Sequence, residues 1–145
     1  MVQELIPVDY SFVVHTVHPL TNNKNEIFIQ LAHGLGEAIV SGKYPGQAYT
    51  FVYNKETDKV ERLTFADKSE KLVVGENGMQ QDLVNYADDP FAKDKKHWES
   101  LIKNIASVSL DIENKWGAAP QDIEGGIKDN QTYILQTRNQ VFNNQ

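Results

Sequence analysis

Along the first half of the chain, short runs of β-branched and aromatic residues alternate with polar turns. Tyr10 to Val17 (Tyr-Ser-Phe-Val-Val-His-Thr-Val) reads as a strand that Pro19 stops. A polar cluster from Thr21 to Asn25 then turns the chain into a second strand, Glu26 to Leu31, returning antiparallel. Glycines bracket Gly34-Leu35-Gly36-Glu37-Ala38-Ile39-Val40-Ser41-Gly42, which predicts a loop opening into a short helix. Gln47 to Tyr53 and Lys59 to Phe65 alternate about a turn at Asn54-Lys55-Glu56-Thr57-Asp58 and predict a hairpin. Leu72-Val73-Val74 adds a short strand, and the pattern fades from Gly75 to Pro90.

The period then changes. From about Ala92 to Trp116 the apolar residues Trp98, Leu101, Ile105, Val108, Ile112 and Trp116 step by three and four, so one stripe of a long helix faces a core. Both tryptophans are expected in that core. Gly117 ends the helix, with Pro120 just beyond. Asp122 to Ile127 and Thr132 to Arg138 flank Lys128-Asp129-Asn130-Gln131, a second hairpin with Asp-Asn turn chemistry. Strands, a long helix, then strands predict one α+β domain over residues 1–145, a mostly antiparallel sheet with the helix packed on it.

Composition narrows the function classes. The 145 residues suffice for one domain core. Fourteen Lys and Arg against twenty Asp and Glu leave a net charge of −6, which argues against a nucleic-acid coat and gives no attraction to an acidic membrane surface. No apolar run exceeds three residues, far below the roughly 18 a membrane helix needs. The absence of cysteine excludes disulfides, thiolate metal sites and a cysteine nucleophile. The first seven residues carry an early Glu4 and no basic segment, so they do not read as a signal peptide. They run straight into strand-like sequence, as expected of a piece of something larger. No targeting segment fixes a compartment, so the expectation is a soluble protein, cytoplasmic or organellar.

The final hairpin concentrates the candidate chemistry. With Ile127 paired to Tyr133, Glu124 lies opposite Gln136 and Asp122 opposite Arg138, and all four project from one face. Two carboxylates, an amide oxygen and a guanidinium then converge. Hard oxygens at this density suit Mg²⁺ carrying phosphate and water ligands, and an adjacent arginine clamps the same phosphate. The competing reading is a solvent-facing hairpin whose Asp–Arg pair is worth little. A slip of one residue would move every side chain to the opposite face.

These residues resemble a known family. Gln121-Asp122-Ile123-Glu124-Gly125 with Tyr133-Ile134-Leu135-Gln136-Thr137-Arg138-Asn139 is similar to the closing hairpin of the nucleotide-binding domain of pyruvate phosphate dikinase, phosphoenolpyruvate synthase and, most closely, the α-glucan water dikinases. The run from Val2 to Thr16, then Gly34-Leu35-Gly36-Glu37, Tyr44-Pro45-Gly46-Gln47-Ala48 and Asn114-Lys115-Trp116-Gly117, extends the resemblance over most of the chain. It implies the C-terminal subdomain of an ATP-grasp fold, in which ATP lies between two α+β lobes. Glu124 and Gln136 match the Mg²⁺ ligands of the family. Arg138 matches the arginine on the transferred phosphate, Asp122 sits beside the same site, and Glu37 matches an acidic residue of the nucleotide pocket, toward ribose or hinge. The family reaction moves the ATP β-phosphate to a histidine and on to an acceptor such as glucan or pyruvate. Such chemistry rests on positioning and charge neutralisation.

The resemblance breaks in three places. Leu72 to Tyr86 is shorter than the matching glucan dikinase segment and lacks its arginine. A second ATP-grasp lobe has no counterpart. Neither has the phosphohistidine domain: His15, His18, His33 and His97 lie outside any small-residue-rich histidine motif. The chain is expected to be a half-site, completed by a second lobe or a larger assembly. The alternative is a non-catalytic interaction or structural subunit that keeps the fold without turnover.

Weaker signals are set aside. His15 and His18 would point to opposite faces of a strand, so turn or strand-end packing is expected rather than a zinc site with His33. Gly34-Leu35-Gly36 lacks the third glycine of a dinucleotide loop. Lys93, Lys95 and Lys96 read as a solvated face.

Overall fold

The alternating runs pair into one sheet because each leaves an apolar edge that only a second layer can cover. In the computed structural model, which describes residues 7–36 and 46–141, six strands lie in the order β4-β3-β2-β1-β7-β8: β1 Tyr10–His15, β2 Glu26–His33, β3 Tyr49–Asn54, β4 Lys59–Thr64, β7 Gln121–Lys128 and β8 Gln131–Asn139. Every neighbouring pair is antiparallel. The fold is therefore α+β, as expected. β1 is interior, paired on one side with β2 and on the other with β7, from the far end of the chain.

The segment from Gly75 to Pro90, where the sequence pattern fades, holds a strand that the pattern did not predict. β5 (Glu70–Gly75) and β6 (Gly78–Leu83) form a separate two-stranded hairpin. β6, Gly-Met-Gln-Gln-Asp-Leu, is exposed along its whole length and so shows no alternation to read.

The predicted long helix is two. Asp89 caps α1 (Pro90–Lys93) by accepting from the Phe91 amide, with proline at the first turn. Asp94 then leaves helical geometry at φ −112°, ψ 92° and caps α2 (Lys95–Lys115), accepting from the His97 amide. At the other end Gly117, at φ 71°, lets its own amide reach Asn114 and the Ala118 amide reach Glu113, closing the last turn in a Schellman arrangement.

One face of the sheet meets α2. Phe12 and Val14 of β1, Ile27, Ile29 and Leu31 of β2, Tyr49 and Phe51 of β3, and Ile123 and Ile127 of β7 are buried against Trp98, Leu101, Ile102, Ile105 and Ala106. Trp116 is not in this core. It is 61% exposed, because it is the C-cap residue where the helix has already run past the sheet. Val108 and Ile112 are only half-buried, and Ser109 takes the inward position instead, its hydroxyl donating to the Ile105 carbonyl at 2.7 Å. Lys93, Lys95 and Lys96 are exposed, as expected.

Candidate functional site

The other face of the six-stranded sheet carries the polar quartet. Pairing across β7 and β8 sets Asp122 opposite Arg138 and Glu124 opposite Gln136, and β1 contributes His15 beside Asp122 and Val13 beside Glu124. Since neighbours along a strand alternate, all four quartet residues rise from the face that α2 leaves uncovered.

The register behind this is a correction. Ile127 pairs with Thr132, not with Tyr133, which lies opposite Gly126. Asp129 and Asn130, at φ 49° and 63°, make a two-residue primed turn that fixes that first register. A bulge at Leu135 then shifts the register between Gly125, opposite Ile134, and Glu124, opposite Gln136, which restores the Glu124–Gln136 and Asp122–Arg138 pairs. Gly125 stands at that bulge out of necessity: a Cβ there would overlap the Phe12 ring and the Tyr133 carbonyl.

Within the quartet, the Asp122 Oδ2 accepts from both Nε (3.1 Å) and Nη2 (3.0 Å) of Arg138. The Asp122 side chain is 14% exposed and the Arg138 side chain 66%, so Arg138 keeps an outer edge toward solvent. Glu124 and Gln136 are exposed and hold no side-chain hydrogen bond or ion pair among the described residues, so their side-chain oxygens face solvent. A hard cation would find in Glu124 and Gln136 two oxygen donors on facing strands, the residue types such an ion takes. Among the described residues no three histidine, aspartate or glutamate side chains gather in a metal-binding group. Glu37 lies outside the described residues, as does the whole of the predicted helix after Gly36.

The histidines separate. His18 Nδ1 accepts the Leu20 and Thr21 amides in the turn after β1. His15 stands in the row of the quartet, with Nε2 3.9 Å from Asp122 Oδ1. Sequence reasoning did not connect these two, because they are paired only through the β1–β7 junction. His33 belongs to a second cluster that the sequence reading missed. Asp89 accepts from Tyr10 Oη (2.7 Å), Tyr49 Oη (2.5 Å) and the Phe91 amide (3.1 Å), and lies 2.6 Å from His33 Nε2. Asp89 followed by Pro90 was the available signal, a cap before a helix-starting proline. Burial drives the Asp89 carboxyl upward, yet the hydrogen bonds from His33, Tyr49 and Tyr10 outweigh it and hold the group below its ordinary value. The two tyrosines are pushed far up, first by burial and then by the carboxylate. A cavity of about 260 Å³ borders this cluster, lined by Tyr10, His33, Lys71, Asp88 and Asp89, and shares no residue with the quartet.

The domain is α+β, and the sheet face opposite α2 carries two acids, an amide and an arginine in adjacent positions of β7 and β8. The chain belongs to the pyruvate phosphate dikinase AMP/ATP-binding domain family, whose model matches residues 1–145. It is similar to the chloroplastic alpha-glucan water dikinases of Solanum tuberosum (30% identical) and Citrus reticulata (32% identical), in each case over 97% of this chain and 11% of that protein. It is also similar to a probable phosphoenolpyruvate synthase of Methanocaldococcus jannaschii, 33% identical over 95% of this chain and 11% of that protein. The chain thus spans about a tenth of the length of these curated relatives, and it is a nucleotide-binding domain of the dikinase family. Among the described residues no helix is long and apolar enough to cross a membrane.

Proposed function

We propose that the chain is the C-terminal subdomain of an ATP-grasp unit and binds Mg-ATP on the uncovered face of its sheet. Glu124 and Gln136 serve as the Mg²⁺ ligands, Arg138 contacts the phosphate to be transferred, and Asp122 holds Arg138 in place. Glu37 is assigned to the ribose or hinge side of the nucleotide. The single observation that carries this reading is the β7–β8 register, which sets the four residues on one face of the sheet, opposite α2. A bound magnesium would neutralise phosphate charge, and the chain's own part is to fix that charge in place. A second lobe closing over the phosphates completes the site, in the same protein or in an assembly. The acceptor, glucan or pyruvate, is left to that remainder.

The test is calorimetric titration of ATP with and without Mg²⁺ into the chain and into Arg138→Ala and Glu124→Ala. Magnesium-dependent binding, weakened in both variants, supports the reading. Identical behaviour of all three removes the quartet from any role. One observation favours the second reading, an interaction subunit without turnover: β6 is an exposed edge strand that turns Met79 and Leu83 to solvent. Stable capture of a protein partner by a chain that never retains nucleotide would favour it.

A further inference from the structure

Four side chains cross the open face in a single row, one from each of four adjacent strands: Phe28 of β2, His15 of β1, Asp122 of β7 and Arg138 of β8. The two oxygens of Asp122 are divided between its neighbours. Oδ2 takes both Arg138 donors, and Oδ1 faces His15 Nε2 at 3.9 Å. On its far side the imidazole is flanked by the Phe28 ring, 6.4 Å between centroids, which limits how far it can swing away. Its Nδ1 is buried and has no hydrogen-bond partner among the described residues.

The protonation of the ring follows from these contacts. A proton on Nδ1 would be a buried donor with no acceptor, whereas on Nε2 it faces a carboxylate, so the neutral ring carries it on Nε2. Burial holds the imidazole below its ordinary pKa; Asp122 opposes that shift and Arg138 adds to it. At neutral pH His15 is therefore an uncharged donor directed at an anion.

We propose that His15 is a positioning residue for Arg138, acting through Asp122. Its Nε2–H attracts the carboxylate oxygen that the guanidinium leaves unused, and so keeps the carboxylate turned with the other oxygen toward Nε and Nη2. With those two donors pinned, Nη1 and the outer hydrogen of Nη2 face outward as a preset fork for an anionic oxygen pair. At 3.9 Å the contact is longer than a hydrogen bond, so the hold on Asp122 is one of charge and dipole rather than of a formed bond. The assignment of that anion as a nucleotide phosphate rests on the function proposed above; the positioning of Arg138 does not.

The experiment keeps the two apart. The Arg138 Nε–H resonance is recorded by NMR in the nucleotide-free chain, for the native protein and for His15→Phe, His15→Leu and His15→Gln, and each is then titrated with Mg-ATP. The expected result is a slowly exchanging Nε–H in the native protein, averaged away in His15→Phe and His15→Leu and recovered in His15→Gln, whose amide restores a donor. Mg-ATP affinity falls about tenfold in the two apolar variants and returns to within about twofold in His15→Gln. An unchanged Nε–H in the apolar variants overturns the proposal, and so does equal impairment in all three, which would make the ring a spacer. If the resonance follows the expected order but the native chain shows no Mg-ATP binding, the positioning stands and the nucleotide reading fails.

Discussion

His33, the last residue of β2, meets Asp89, the cap of α1, at 2.6 Å, and this contact ties the sheet to the helical layer at their common end. Tyr10 and Tyr49 add their hydroxyls to the same carboxylate from β1 and β3, so three strands converge on one buried acid. Replacing Asp89 by Ala leaves two phenols and an imidazole without their partner. A loss of about 3–5 kcal/mol is expected in urea unfolding, because one member of a buried polar network is removed while the others remain.

The same cluster sets the pH limits of the fold. Asp89 sits below its ordinary carboxyl value in the folded state, so its contribution is present above about pH 4 and is lost as pH falls through the folded value. Tyr10 and Tyr49 are shifted the other way. Their contribution is complete below pH 10.0, the ordinary tyrosine value, and declines as pH rises beyond it. Thermal unfolding across the pH range is expected to show both shoulders. Asp89→Asn flattens the acid one, and Tyr10→Phe with Tyr49→Phe the alkaline one.

Arg138 and Asp122 make a pair that is mostly wet on the arginine side. Arg138→Ala is therefore expected to change unfolding free energy by less than about 1 kcal/mol, even as Mg-ATP affinity falls. Arg138→Lys recovers charge but not the two-donor grip on Asp122, and restores affinity only in part. Denaturant titration beside calorimetry separates the two effects.

The bulge at Leu135 offers a test by deletion. Removing Leu135 joins the two registers of the hairpin directly and leaves Glu124 opposite Gln136 and Asp122 opposite Arg138, so Mg-ATP binding survives. Removing Thr137 cannot do so. Whether the chain keeps the bulge or absorbs it, either Arg138 or Gln136 is carried to the α2 side, and binding is lost. Equal binding by the two deletions would show that the register does not matter.

Much of this was legible in the residues. Alternation gave β1 to β4 and the closing hairpin within a residue or two, and the helical stripe gave α2. The misses have physical causes. β6 has no buried face, so no alternation marks it. Asp94 divides the helix because its side chain caps the next turn, a competition that an apolar stripe cannot reveal. Trp116 keeps helical spacing but stands beyond the sheet that would cover it. At the site, polar alternation showed which side chains share a face, and the Ile127–Tyr133 pairing was wrong by the one residue that the bulge puts back. Asp89 and His15 were out of reach, since each acquires its role only from strands distant in sequence.

The central place of β1 has a kinetic consequence. Tyr10 must find Ile127, and His15 must find Asp122, across more than about a hundred intervening residues. Such closures are entropically slow, whereas the β3–β4 and β7–β8 hairpins are local and close early. The junction that brings imidazole, carboxylate and guanidinium into line is thus among the last parts of the molecule to assemble. In refolding of the complete chain, the two halves of the quartet are therefore brought together by their local hairpin before β1 adds the row that orients them.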